Sequence, residues 1–185
     1  MSNSPLWTAI AAAFALLLSG CDKSDNHEKG FESKDHFPEV SAELGLEFTH
    51  DAGIDGRHIM AESIGAGLAL FDHDGDGDLD IYLVNGGPHG GDTPASGNRL
   101  FSQEDSGHFT DRTRESGLGD MGYGMGATLG DIDNDGDLDV YVSNYGADSL
   151  YRNDGGGRFS NITAMSGITG NSWSTSACCV DYDND

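Results

Sequence analysis

Asp72, Asp74, Asp76, Asp78 and Asp80 alternate along nine residues, and Asp131, Asp133, Asp135, Asp137 and Asp139 do the same. Gly77 and Gly136 hold the sixth place of the two stretches, and a third begins at Asp181, Asp183 and Asp185. Carboxylates at places 1, 3, 5 and 9 around a glycine turn suit a hard divalent cation, above all Ca2+, which takes about six to eight oxygen ligands. All thirteen aspartates are therefore candidate metal ligands, with Asp137 at place 7 expected to offer its backbone carbonyl. Gly136 is expected where the chain turns sharply and a Cβ would clash. His73, at an even place, is expected to face outward into solvent. Acidic turns are often plain solvated surface, but a register kept through three stretches argues for metal. Five carboxylates without a counter-ion would also repel one another in a compact state.

The charge of the whole chain follows from these loops. Its net charge is -23, and 13 of its 32 acidic residues lie in the three stretches. Such a balance excludes nucleic acid, which needs a basic face. No GxSxG elbow, HExxH, CxxC or phosphate-binding GxxxxGK[ST] occurs, and the seven histidines show no ligand spacing. The chain reads as a non-enzyme.

The elements that position the loops are strands. Ala66–Phe71 and Gly126–Gly130 are small and apolar and suit a crowded inner strand, as does the glycine alternation of residues 122–126. Ile81–Val84 and Val140–Val142 follow the loops and are β-branched and aromatic. Leu100 and Leu150 begin third strands; glycine-bearing turns at 105–107 and 154–157 lead to fourth strands at Phe109 and Phe159. Place 12 of an EF-hand would fall on Leu83 and Val142, inside strands, which excludes that motif.

The register makes these true repeats. Asp72 to Asp131 is 59 residues and Asp131 to Asp181 is 50, and the difference lies in one loop, Gly86 to Gly97. Phe37, Gly45 and Leu46 match Phe109, Gly117 and Leu118, then Phe159, Gly167 and Ile168. This phrase reads as an outer strand and a linker to the next unit. Four short strands per unit of about 50 residues is the grammar of a β-propeller blade. Asn161-Ile162-Thr163 is formally a glycosylation sequon, expected to be unused, with Asn161 in the place of Asp111 at a strand end. Cys178 and Cys179 align with Thr128 and Leu129; small buried strand residues are expected there, and a vicinal disulfide is the alternative.

Residues 1–20 carry no charge, and Leu6–Leu18 is apolar except for Thr8. Thirteen residues are too few to span a bilayer, which takes about 20, so 1–20 reads as a signal peptide. Leu18-Ser19-Gly20-Cys21 resembles the bacterial lipobox, with Cys21 the lipidated residue, although no Lys or Arg precedes the apolar run. Residues 21–36 then form a polar tether, and 37–185 the folded region. The expected location is the bacterial cell envelope, on the periplasmic face or outer surface.

Residues 126–144, Leu150-Tyr151-Arg152-Asn153, Gly157-Arg158-Phe159 and Thr163–Ile168 together resemble the FG-GAP or VCBS-type repeat. They are similar above all to bacterial ASPIC/UnbV-containing proteins and cartilage acidic protein relatives. The resemblance implies an all-β fold: a propeller, usually seven-bladed, with Ca2+ in its loops, exported and concerned with binding. This chain would hold about two and a half blades of it. The expected function is a calcium-stabilised scaffold for a protein or glycan, with the 86–97 loop the local candidate for contact. Two alternatives stay open: part of an enzyme whose catalytic residues line the propeller channel or lie elsewhere, and an assembly or maturation factor for exported proteins.

Overall fold

The computed structural model describes residues 38–54, 56, 59–87 and 97–182. The signal segment, Cys21 and the tether lie outside them, as do Phe37, residues 88–96 of the inserted loop, Asp183 and Asp185. The chain divides into two units, Met1–Glu39 and Val40–Asp185, and the second carries all the elements that follow.

The single-turn helices α1 (Ser41–Leu44) and α2 (Met60–Ile64) precede a first sheet of β1 (Leu68–Phe71), β2 (Asp80–Leu83), β3 (Arg99–Gln103) and β4 (Phe109–Asp111). Helix α3 (Thr113–Ser116) leads to a second sheet of β5 (Gly124–Gly130), β6 (Asp139–Gly146), β7 (Ser149–Asn153) and β8 (Phe159–Asn161). Helix α4 (Thr163–Ser166) and a two-residue β9 (Ser172–Trp173) follow. Each sheet is an antiparallel meander in chain order, and β9 adds to the far end of β6. These are two four-stranded blades of an all-β, propeller-type fold.

Alternation explains which faces are covered. Along β1, Ala69 and Phe71 are buried while Leu68 and Leu70 are exposed, the period-2 signature of a strand packed on one face. One apolar cluster joins the sheets: Phe71, Tyr82, Val84 and Leu100 from the first, Val140, Val142, Tyr151 and Phe159 from the second, and Leu118 from the linker. Phe71 and Phe159 meet edge to face at 6.3 Å between ring centroids. The inner strands approach closely, Gly67 N–H donating to the Met125 carbonyl at 3.0 Å. A Cβ on Gly67 would stand 3.2 Å from Gly126 Cα, and one on Gly124 2.3 Å from Val84 Cγ1. The glycine alternation of residues 122–126 thus serves close packing.

The linker is more structured than its sequence phrase suggests. After β4 and after β8 the chain makes one helical turn and leaves it through a left-handed glycine, Gly117 (φ 81°) or Gly167 (φ 77°), and the turn at Ser41–Leu44 ends the same way at Gly45 (φ 82°). Thr113 Oγ1 accepts the Leu100 N–H at 2.9 Å and Thr163 Oγ1 the Leu150 N–H at 2.8 Å, tying each turn back to the third strand of its own blade. Asp111 and Asn161 fill matching places, each accepting the N–H two residues on.

Cys178 and Cys179 depart from expectation. Both are exposed free thiols, neither in a strand nor bonded to each other. The Thr128 hydroxyl donates to the Ala177 carbonyl at 2.9 Å, laying this segment beside β5. Cys179 lies against Gly130, where an added Cβ would stand 2.7 Å from its Cβ, but no described strand pairs with residues 175–180, and both side chains stay largely exposed.

Candidate metal centre

Both complete acidic stretches occupy the same structural place, the turn from the first strand of a blade to the second: 72–79 between β1 and β2, 131–138 between β5 and β6. Backbone N–H groups inside each turn define its shape. The Asp72 carboxylate accepts from Gly75, Asp76 and Gly77 at 2.8, 3.1 and 2.9 Å. Asp131 accepts from Asp135 and Gly136 at 3.2 and 3.0 Å. Asp76 and Asp135 in turn accept the N–H groups of Asp78 and Asp137, each at 2.9 Å.

Gly77 and Gly136 share φ +95°, yet a Cβ at either would meet nothing within 4 Å. The expectation of a clash is therefore corrected: backbone conformation requires these glycines, and there is room for a side chain. Place 4 is left-handed too, held by Gly75 (φ 81°) and Asn134 (φ 60°), asparagine being among the few side chains that tolerate this region.

Place 9 does work that its reading as a ligand did not anticipate. Asp80 is fully buried; its Oδ2 accepts the His73 N–H and its Oδ1 the Gln103 N–H, both at 2.8 Å. Asp139 repeats this with Ile132 at 2.8 Å and Asn153 at 2.7 Å. Each place-9 carboxylate thus ties the start of its loop to the end of the third strand. The recurrence of the residue was visible in sequence, but its partners lie in another strand.

His73 is also corrected. It is 4 % exposed, with Nδ1 2.6 Å from Asp80 Oδ2. Its ring lies against the loop carboxylates of Asp80 and Asp74, the latter at 3.9 Å, and the neighbouring blade covers it. Asn153 Nδ2 donates to its carbonyl at 3.2 Å, and a Cβ on Gly157 would stand 2.9 Å from its Nε2.

The remaining geometry concerns which carboxylates converge. Oxygens of Asp72, Asp74 and Asp76 lie within 4.8 Å of one another, and so do those of Asp131, Asp133 and Asp139. His73, Asp74 and Asp80 form a third group by the same measure. Asp78, Asp135 and Asp137 belong to none of these groups. Of the third stretch, only Asp181 is among the described residues.

The charge is poorly compensated. The Asp74 carboxyl is pushed above its ordinary range by burial, with His73 opposing and Asp76 and Asp80 adding to the rise. Burial likewise raises Asp139, against the N–H groups of Ile132 and Asn153 and with help from Asp133 and Asp135. An all-carboxylate donor set, partly withdrawn from water, fits Ca2+. One side-chain cation stands at the rim of the second loop: Arg152 Nε is 3.9 Å from Asp133 Oδ2, and its Nη2 is 2.6 Å from Asp154 Oδ1.

Comparison with curated proteins finds no match for this chain. A family model described as an FG-GAP-like repeat matches residues 72–142 and again residues 131–185, each match beginning at the first aspartate of an acidic loop. With two blades in register and more than half of its length matched, the chain belongs to the FG-GAP-like repeat family.

Proposed function

We propose that the protein is a calcium-stabilised, exported propeller scaffold that binds a protein or glycan partner and carries out no catalysis of its own. The observation that carries this reading is the recurrence, at the same hairpin of both blades, of three carboxylates whose oxygens lie within 4.8 Å. Asp72, Asp74 and Asp76 would hold one ion and Asp131, Asp133 and Asp139 another, with Asp78 and Asp137 offering backbone carbonyls. Bound Ca2+ supplies positive charge to these turns and so stabilises the folded chain.

Sites of this extracellular type bind with Kd of about 10⁻⁴ to 10⁻³ M. At a hundredfold excess over Kd, each site would add about 2.7 kcal/mol. Export rests on the apolar segment and on the lipobox-like Leu18–Cys21, which would anchor the chain to a bacterial envelope membrane through Cys21. The likeness to ASPIC/UnbV-containing proteins and a seven-bladed ring belong to the same reading.

Calorimetric titration with calcium chloride, paired with melting curves in calcium and in chelator, tests it. Saturable binding with a rise of several degrees in Tm is expected. Equal melting in both conditions with no heat of binding would sink the metal reading.

A further inference from the structure

We infer that Arg152 is a built-in counter-cation of the second acidic loop that holds its Ca2+ affinity below that of the first, an inference that rests on the metal reading above. The two loops share a backbone but not their surroundings. Gln103 and Asn153 make the same bond to Asp80 and Asp139, which fixes the register: the residue before each is Ser102 in the first blade and Arg152 in the second. Ser102 is buried and uncharged. Among the described residues, no Arg or Lys forms an ion pair with a first-loop carboxylate, whose only such partner is His73.

Arg152 is seated rather than free. Its Nε and Nη2 donate to Asp154 Oδ1 at 3.0 and 2.6 Å, and the Ser160 hydroxyl donates to the other oxygen of Asp154. From this seat the guanidinium faces Asp133 at 3.9 Å. It keeps its charge at any working pH. A cation among Asp131, Asp133 and Asp139 therefore binds beside a fixed positive charge and competes with it for Asp133. Because Asp154 retains the guanidinium, binding does not displace it. A unit charge at this range, half exposed and in moderate salt, weakens binding of a divalent ion roughly three- to tenfold. The loops then fill in order, the first at lower calcium and the second at higher.

The test is calcium calorimetry on the full chain, comparing the unaltered protein with Asp133→Asn, Arg152→Ser and Arg152→Lys at low and high salt. Asp133→Asn identifies the heat of the second loop. Arg152→Ser, which installs the first blade's residue, should tighten that site roughly three- to tenfold and leave the other unchanged, with the gain shrinking in high salt. Arg152→Lys should keep the weak affinity, since it keeps the charge. A matching melting curve for Arg152→Ser in chelator establishes that the fold is intact. Unchanged or weaker binding in Arg152→Ser, or a lysine variant that behaves like serine, would overturn the inference while leaving the metal reading in place. No binding in the unaltered chain would overturn both.

Discussion

Gly136 turns the second acidic loop at φ +95° with open space where a side chain would go. A substitution there is penalised through backbone conformation alone. Gly136→Val should therefore cost about 1–3 kcal/mol in chelator as well as in calcium, whereas Gly136→Asn should cost clearly less, as Asn134 already shows two residues earlier. Denaturant unfolding of both variants checks this, and equal losses would mean that crowding, not φ, decides. Tyr141 offers a second residue-scale test. Its hydroxyl donates to Asp148 Oδ2 at 2.6 Å, and burial, then the Asp148 bond and charge, push its pKa up to about 12. A raised folded pKa means that the stabilisation is complete below the unfolded value of about 10 and is lost as pH rises through about 12. The protein should weaken across that alkaline window, and Tyr141→Phe should remove its share of the slope in melting curves taken between those limits.

At the scale of the element, the strands, their glycine-bearing turns and the position of the acidic loops were legible because each signal is local: a small apolar run before the loop, a glycine at a fixed place, β-branched residues after it. The single helical turns were not read, although Ser41, Thr113 and Thr163 each stand four residues before a glycine. Four residues are too few to show helical periodicity. The burial of His73 was hidden for a different reason, since the groups that cover it, Asn153 and Gly157, belong to the other blade. Cys178 and Cys179 align with strand residues, but alignment carries no partner strand with it. The linker glycines make the joint testable. A Cβ on Gly117 would stand 2.7 Å from the Phe159 carbonyl oxygen, in a residue already at φ +81°. Gly117→Ala should cost about 2–3 kcal/mol, more than strain alone. Gly167 has a similar φ, +77°, but nothing within 4 Å, so Gly167→Ala should lose only the conformational part, about 1 kcal/mol. Equal losses at the two positions would refute the contact.

Across the folded unit, the two blades share one apolar cluster, so neither keeps its core without the other. Phe71 is 2 % exposed and meets Phe159 of the second sheet. Phe71→Ala should cost about 3–5 kcal/mol, and circular dichroism and tyrosine fluorescence should report one shared transition. Two separate transitions would show that the blades fold independently. The joint itself has a broader consequence. Gly45 and Gly117 press on the backbone carbonyls of Phe109 and Phe159, with built Cβ distances of 2.5 and 2.7 Å. A backbone carbonyl is offered by every residue type, so the receiving side of this joint places little demand on its own sequence. At this joint a blade can be copied or diversified without matching a side chain on the receiving side, provided the glycine is retained; the constraint on drift falls instead on the shared apolar cluster, where Phe71 and Phe159 must still meet.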